Sequence, residues 1–232
     1  MQYLNENGLM PRLQSAYRRH HSTETALLRV LSDIFAATDK QCVTLLGLLD
    51  LSSAFDCVDH AVPLDRLQLV FGLNGCALDW LASFLDARTQ QVCYQRLLVR
   101  HHPSSIYGVP QGSVLGPLRY LLYTAELFDL IAKCGMTAHC YADDTQVYVC
   151  TPPTDVPAAV EHFRSCVEQI ERWLQSNRLK MNAKKTRVIW LGTRQRLKKV
   201  NGDEIQLSSA SIPVSTSVVD LGVSFDGQLT KS

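Results

Sequence analysis

The sequence predicts an α+β domain built on one antiparallel sheet, and three observations carry that prediction. An unbroken apolar run, Cys42 to Leu49, reads as a strand buried on both faces. Two β-prone runs, Thr137–Tyr141 and Thr145–Cys150, flank Ala142, Asp143 and Asp144, which reads as a hairpin with an acidic tip. Two long helical patterns, at 113–133 and 156–176, separate these strands from each other and from a last strand, Arg187–Leu191. The resulting order is strand, helix, strand, strand, helix, strand. That is the β-α-β-β-α-β arrangement of ferredoxin-like domains, with two helices covering one face of the sheet.

Residues 1–21 have turn and polar character. Ser22 and Thr23 then supply an N-cap, with Glu24 in the first turn. Leu27, Val30, Leu31, Ile34 and Phe35 continue at helical spacing to about Thr38. After the first strand, Pro63 and Gly72 bracket a short helix, and Ala77–Leu85 fits another. Gln91–Val99 alternates loosely as a strand. Pro103, Gly108, Pro110 and Gly112 make 101–112 a loop. The helix from about Ser113 stops at Gly135. Arg119 lies on its core-facing side, where an unpaired guanidinium is costly, so it is expected to snorkel outward. Asp155 and Pro157 open the second long helix, whose stripe is Val160, Phe163, Val167, Ile170 and Leu174. Ile205–Leu207 and Val218–Phe225 are further strands.

Hydrophobic residues make up 46% of the 232, enough for a sizeable core. No apolar run reaches a membrane-spanning length, and Met1–Glu6 carries no secretory signal, so the expected setting is intracellular, nucleus or cytoplasm, with no membrane partner. The eight cysteines lack CxxC spacing and fall mostly in apolar segments, which excludes an obvious zinc site and reads as small buried hydrophobes. Net charge is only +1, but Arg172–Lys199 holds ten Lys or Arg and no Asp or Glu. A run of that kind is either a solvated face or a phosphate-contacting surface.

The topology brings the end of the first strand toward the hairpin tip, and so Asp50 toward Asp143 and Asp144, 93 residues away. A lone Asp at a strand end is ordinarily a turn residue. Three carboxylates at one sheet edge repel one another unless cations neutralise them. Oxygen-only ligands suit Mg²⁺, with its remaining ligands drawn from substrate phosphates. Two such ions can activate a hydroxyl and stabilise a leaving pyrophosphate.

Tyr141-Ala142-Asp143-Asp144 resembles the YxDD signature of reverse transcriptases, and other strings follow in that family's order. Leu49-Asp50-Leu51-Ser52-Ser53-Ala54-Phe55-Asp56 resembles the first catalytic motif. Tyr107-Gly108-Val109-Pro110-Gln111-Gly112-Ser113-Val114-Leu115-Gly116-Pro117 resembles the second, which is very specific. Ser176–Asn182 with Lys185-Thr186 resembles the fourth, and Asp220-Leu221-Gly222-Val223 the fifth. Ser15–Arg18 and His21–Leu28 are similar to the fingers segment of non-LTR, LINE-type elements. The resemblance covers essentially the whole chain. Its fingers and second-motif strings are of LINE rather than retroviral, intron-maturase or telomerase style.

The resemblance implies a polymerase palm over 42–195, with 61–100 inserted, a partial fingers segment over 1–41 and a primer-grip region over 196–232. Measured against the family, a helical thumb is absent. It implies an RNA-directed DNA polymerase that extends a DNA primer on an RNA template with dNTPs, using two Mg²⁺ ions or Mn²⁺ in their place. Asp50 and Asp143 would hold metal, with Asp144 adjacent and the Leu51 carbonyl completing a shell. Phe55 would gate the sugar, and Gln111 and Gly112 would lie against the nucleotide or template. Arg18 would meet the triphosphate, and Lys185 the leaving pyrophosphate. Tyr141, Leu221 and Gly222 would contact primer or template. Asp56 and Asp59 would brace the turn after the first strand. The alternative is a truncated or decayed copy that binds nucleic acid without polymerising. Oligomeric state is not legible.

Overall fold

The computed structural model describes residues 2–52, 61–83, 90–94, 97–102, 113, 115–207 and 210–229. The chain opens with a short helix, α1 (Gln2–Glu6), followed by α2 (Thr23–Asp39). Strand β1 (Val43–Leu49) leads across Asp50 into β2 (Leu51–Ser52). Helices α3 (Ala61–Leu69) and α4 (Cys76–Ser83) precede the paired strands β3 (Gln90–Tyr94) and β4 (Leu97–His102). Helices α5 (Leu115–Tyr123) and α6 (Glu126–Lys133) lead to the hairpin of β5 (Thr137–Tyr141) and β6 (Asp144–Thr151). Helix α7 (Val156–Ser176), β7 (Lys180–Met181), β8 (Arg187–Leu191) and α8 (Arg194–Leu197) follow. Two small ladders end the chain, β9 (Glu204–Gln206) with β10 (Ser211–Pro213), and β11 (Ser217–Asp220) with β12 (Val223–Asp226).

The central sheet has the antiparallel order β5-β6-β1-β8. Its register runs from Val43 opposite Thr151 to Leu49 opposite Thr145, and from Thr44 opposite Leu191 to Leu48 opposite Arg187. The period of two then sorts side chains between two cores. Val43, Leu45 and Leu49 join Val147, Val188 and Trp190 beneath α5, α6 and α7. Leu46, Tyr148, Ile189 and Leu191 face the other way, against Leu27, Val30 and Ile34 of α2 and Val218 and Phe225 of the last hairpin. The sheet is therefore covered on both faces, not one. The continuous apolar run of β1 demands it, because strict alternation suits a sheet with one wet face.

Helix α2 begins where its capping chemistry says it should. Ser22 Oγ accepts from the Thr25 amide at 3.2 Å, and Thr25 Oγ1 accepts from the Ser22 amide at 2.8 Å. Helix α7 matches its expected span, with Pro157 in the first turn. Its end is closed by Arg178 at φ 55° and by the Leu179 amide, which donates to the Leu174 carbonyl at 2.8 Å.

Five expectations are corrected, and a sixth in part. The 113–133 helix is two helices. Thr124 Oγ1 donates back to the Tyr120 carbonyl at 3.0 Å, competing with the helical ladder at the break. Val218–Phe225 is a hairpin, turned at Leu221 and Gly222, both at positive φ (47° and 86°). Gln91–Val99 is part of the β3–β4 pair. Residues 1–21 begin with α1, held because Leu4 is buried and Tyr3 Oη donates to the Phe71 carbonyl at 3.0 Å. Arg119 does not snorkel. It is 2% exposed, and its Nη1 donates to the Leu81 carbonyl at 3.2 Å. Of the six cysteines whose side chains are described, Cys140 and Cys166 are buried as expected, but Cys76 and Cys150 are exposed.

One further arginine joins the inserted α3 to the core. Arg66 donates to the Tyr123 carbonyl, to Glu126 Oε2 at 2.7 Å and to Asn177 Oδ1 at 2.6 Å, and lies over the rings of Tyr123 and Trp173. Among the described residues no helix is long and apolar enough to cross a membrane.

Candidate active site

At the outgoing end of β1 the chain leaves the sheet. The Asp50 amide donates to Thr186 Oγ1 at 3.5 Å, the Asn182 amide donates to the Asp50 carbonyl at 2.8 Å, and Leu51 pairs with Met181. This change of partners fixes Asp50 between β1 and the loop before β8. Its Oδ2 is buried and has no hydrogen-bond partner among the described residues. A buried carboxylate oxygen left bare is costly unless something outside the protein balances it.

Asp50 lines a cavity of about 140 Å³ with Asp144, Gln146, Lys185, Arg187, Asp220 and Leu221 among its walls. Asp50 and Asp144, expected at metal, Lys185, expected at pyrophosphate, and Leu221, expected at the primer end, all line this one cavity. Asp143 is not among the lining residues. It stands in the turn between Tyr141 and Asp144, which pair, and its charge is felt both at Asp144 and at Tyr120 of α5. The Asp144 carboxyl is pushed above the usual carboxylate range by loss of solvent, then by the negative charges of Asp143 and Asp50. Among the described residues no three His, Cys, Asp or Glu side chains already stand together as a metal-binding group. The donor set nevertheless suits a hard cation: oxygen atoms only, one of them bare and buried, with mutual repulsion that a cation would relieve.

Two residues with no signal in the sequence, Gln14 and Gln146, organise the site. Gln14 is 1% exposed and bonds the hairpin turn from the side. Gln146 Nε2 donates to Asp220 Oδ2 at 2.6 Å, tying β6 to the β11–β12 hairpin, and Arg187 adds a cation to the cavity wall. The motif string around Asp220 was visible, but its partner lies 74 residues away. Arg18 has a local duty, since its Nη1 donates to the carbonyls of Pro11 at 3.0 Å and Gln14 at 3.2 Å. Tyr141 ends β5, half-buried, and Gly222 caps the last hairpin. Phe55, Gln111, Gly112, Asp56 and Asp59 lie outside the described residues.

Burial pushes the Asp220 carboxyl up to about 6, with the Gln146 bond opposing and the charge of Asp144 adding. Between the ordinary carboxylate value and about 6, folded Asp220 holds a proton that the unfolded chain has lost. Its contribution to stability therefore falls as pH rises through that window. His139 works in the opposite direction. Its Nε2 lies 3.0 Å from Ser15 Oγ, and burial, then the positive charges of Arg29 and His21, lower it to about 4. The unfolded chain holds that proton from about 4 to 6.5, so this contribution rises with pH. In metal-free buffer the two offset each other. Urea unfolding of Asp220→Asn should gain stability relative to the native chain as pH rises from about 4 to 6.5, by up to about 3 kcal/mol. Parallel pH dependence in the two proteins would show that Asp220 titrates normally.

The reverse transcriptase (RNA-dependent DNA polymerase) family matches residues 1–223. The chain belongs to the reverse transcriptase family. It is 28% identical over 234 residues to a probable RNA-directed DNA polymerase from transposon X-element of Drosophila melanogaster, a match covering 99% of this chain and 24% of that protein. It is 27% identical over 181 residues to the RNA-directed DNA polymerase from mobile element jockey of the same fly, over 76% of this chain and 19% of that one. These relatives place it with the LINE-type reverse transcriptase domains. The chain spans a quarter or less of their length. Among solved structures it is similar to apo telomerase from Candida tropicalis, with TM-score 0.63 at 13% identity, over 98% of this chain and 38% of that one. Telomerase from Candida albicans gives TM-score 0.54 at 13% identity, over 94% and 35%. At such identity the likeness is one of fold, that of an α+β polymerase-like domain. Reverse transcriptases use divalent metal ions.

Proposed function

We propose that this reverse transcriptase domain is the palm of an RNA-directed DNA polymerase that extends a DNA primer on an RNA template with dNTPs. The observation that carries the reading is the bare, buried Oδ2 of Asp50 in a cavity shared with Asp144 and Lys185. The strand order β5-β6-β1-β8 supports reading 42–195 as a ferredoxin-like palm. Residues 1–41 then serve as part of the fingers and 196–232 as the primer grip.

Asp50, Asp143 and Asp144, with the Leu51 carbonyl, would hold two Mg²⁺ ions, or Mn²⁺ in their place. Bound there, the cations supply charge for a 3′-hydroxyl to lose its proton and for pyrophosphate to leave. The protein's own work is positioning and electrostatics. Asp50 and Asp144 concentrate negative charge where the cations are needed. Lys185 Nζ donates to the pyrophosphate oxygen released as the bond between the α-phosphorus and the bridging oxygen breaks. Arg18 meets the triphosphate, and Phe55 excludes a 2′-hydroxyl by its bulk. Gln111 and Gly112 lie against the nucleotide and template. Tyr141, Leu221 and Gly222 hold the primer end.

A second reading, nucleic-acid binding without polymerisation, draws on the basic run. Arg172, Arg178, Lys180, Lys184, Lys185, Arg187, Arg194, Lys198 and Lys199 are all exposed. Primer extension on an RNA template separates the two. The polymerase reading expects dNTP addition in Mg²⁺ that stops on chelation. Salt-sensitive binding by a folded chain that adds no nucleotide with either Mg²⁺ or Mn²⁺ would leave only the second.

A further inference from the structure

The turn that carries Asp143 is built from an unfavourable residue. Tyr141 pairs with Asp144, so Ala142 and Asp143 make a two-residue turn, and Ala142 sits at φ 56°. Positive φ at such a position ordinarily goes to Gly, Asn or Asp, because a Cβ crowds the backbone there. An alanine turn of this kind needs an outside brace to persist.

The brace comes from residues 128 positions upstream. Gln14 Nε2 donates to the Ala142 carbonyl at 3.1 Å, and Gln14 Oε1 accepts from the Ala142 amide at 3.0 Å. One side chain thus bonds both polar groups of the strained residue, as a backbone partner would. The same Oε1 accepts from the Ala16 amide at 2.9 Å, which fixes the rotamer of Gln14. Its backbone is pinned as well. The Ser15 amide donates to the Cys140 carbonyl at 2.9 Å and the Cys140 amide to the Leu13 carbonyl at 2.8 Å, making a short parallel bridge along the free edge of β5. Arg18 Nη1, on the carbonyls of Pro11 and Gln14, closes the loop behind it.

We propose that Gln14 is a positioning residue of the polymerase site, holding the Ala142–Asp143 turn in the one conformation that presents Asp143 and Asp144 to metal. The inference rests on the polymerase reading for its consequence and on the Gln14–Ala142 geometry for its substance. It acts through Ala142 and touches neither substrate nor cation. The amide is satisfied on both atoms within the protein, so the segment 13–16 transmits its own position to the acidic tip. Any ligand that orders or displaces this segment would act on the carboxylates through the same two bonds.

The test uses the chain with Gln14→Leu, which keeps the bulk and loses the amide. Gln14→Asn keeps the amide but is one carbon short, and serves where the leucine variant fails to fold. Ser15→Ala is the control, since it loses the buried bond to His139 and leaves the Gln14 clamp intact. Three readouts are taken. Hydrogen exchange at the Ala142 amide should speed up in the Gln14 variants and not in Ser15→Ala. Binding of Mn²⁺ alone, followed by paramagnetic resonance, should weaken by roughly tenfold. Extension should lose roughly tenfold in kcat and need more Mg²⁺, with KM for dNTP unchanged. A folded Gln14 variant with native Mn²⁺ affinity and native kcat would overturn the proposal. The exchange and Mn²⁺ measurements need no polymerisation. If the native chain extends no primer, the polymerase reading fails, yet weakened Mn²⁺ binding with lost Ala142 protection still supports the role of Gln14.

Discussion

Asp50→Asn should cut Mg²⁺-supported primer extension by roughly a thousandfold while leaving the metal-free fold intact or firmer. The two halves of that expectation share one cause. Asp50 Oδ2 is buried with no hydrogen-bond partner among the described residues, and the Asp50 charge helps push Asp144 upward. In the absence of cations the carboxylate is thus a net cost to the folded state. An amide of the same shape removes the charge, relaxes Asp144 toward its ordinary range and keeps the backbone bonds to Thr186 and Asn182. With cations the balance reverses, because a ligand that binds only the folded chain stabilises it by mass action. Thermal unfolding should therefore show a rise in Tm when Mg²⁺ is added to the native chain and little or none in Asp50→Asn. The reading of this cavity as the metal site would be sunk by a folded Asp50→Asn chain that extends primers at the native rate. An unchanged Mg²⁺-dependent Tm shift in the variant would sink it equally.

Phe163→Ala should be the most damaging single core truncation at this site, costing about 3–5 kcal/mol, and Gly47→Ala should cost about 1–3 kcal/mol alone. The two sites meet. Phe163 is 0% exposed, and a Cβ built on Gly47 would lie 2.5 Å from its Cζ and 3.1 Å from its Cε2. Gly47 is in the middle of β1, opposite Val147 and Val188, and three residues before Asp50. The bare backbone of Gly47 leaves room for the tip of the α7 ring against β1, where a Cβ would collide with it. In the double variant the new methyl enters space the ring has vacated. Its cost in chemical denaturation should fall short of the sum of the singles by about 1 kcal/mol or more. Strict additivity would mean that Phe163 moves aside freely and that Gly47 is not required by packing.

Glycine 47 also marks where reading the sequence stops. Its place in an apolar strand was legible, but its reason was not, because nothing in the string says which aromatic ring crosses that strand. The same division runs through the site. Asp50, Asp144 and Lys185 were found from motif strings, and the fold brings them to one cavity. Gln146 reads locally as one more polar residue in a strand, and its bond to Asp220 exists only once β11 is folded against β6.

By itself the sequence determined what depends on near neighbours. It set the continuous apolar run of β1, the span of α7 with its Pro157 start, the Ser22 cap of α2, and the order of strands and helices from which the sheet follows. These are local because backbone hydrogen bonding and side-chain periodicity are settled within a few residues. Tertiary structure alone decided that α2 and the last hairpin are what cover the second face of the sheet, that the 113–133 helix breaks at Thr124, and that Gln14 braces the turn before Asp143. Each of those depends on burying a polar or apolar group against a partner far along the chain. The free energy of that burial has no counterpart in any local window of residues.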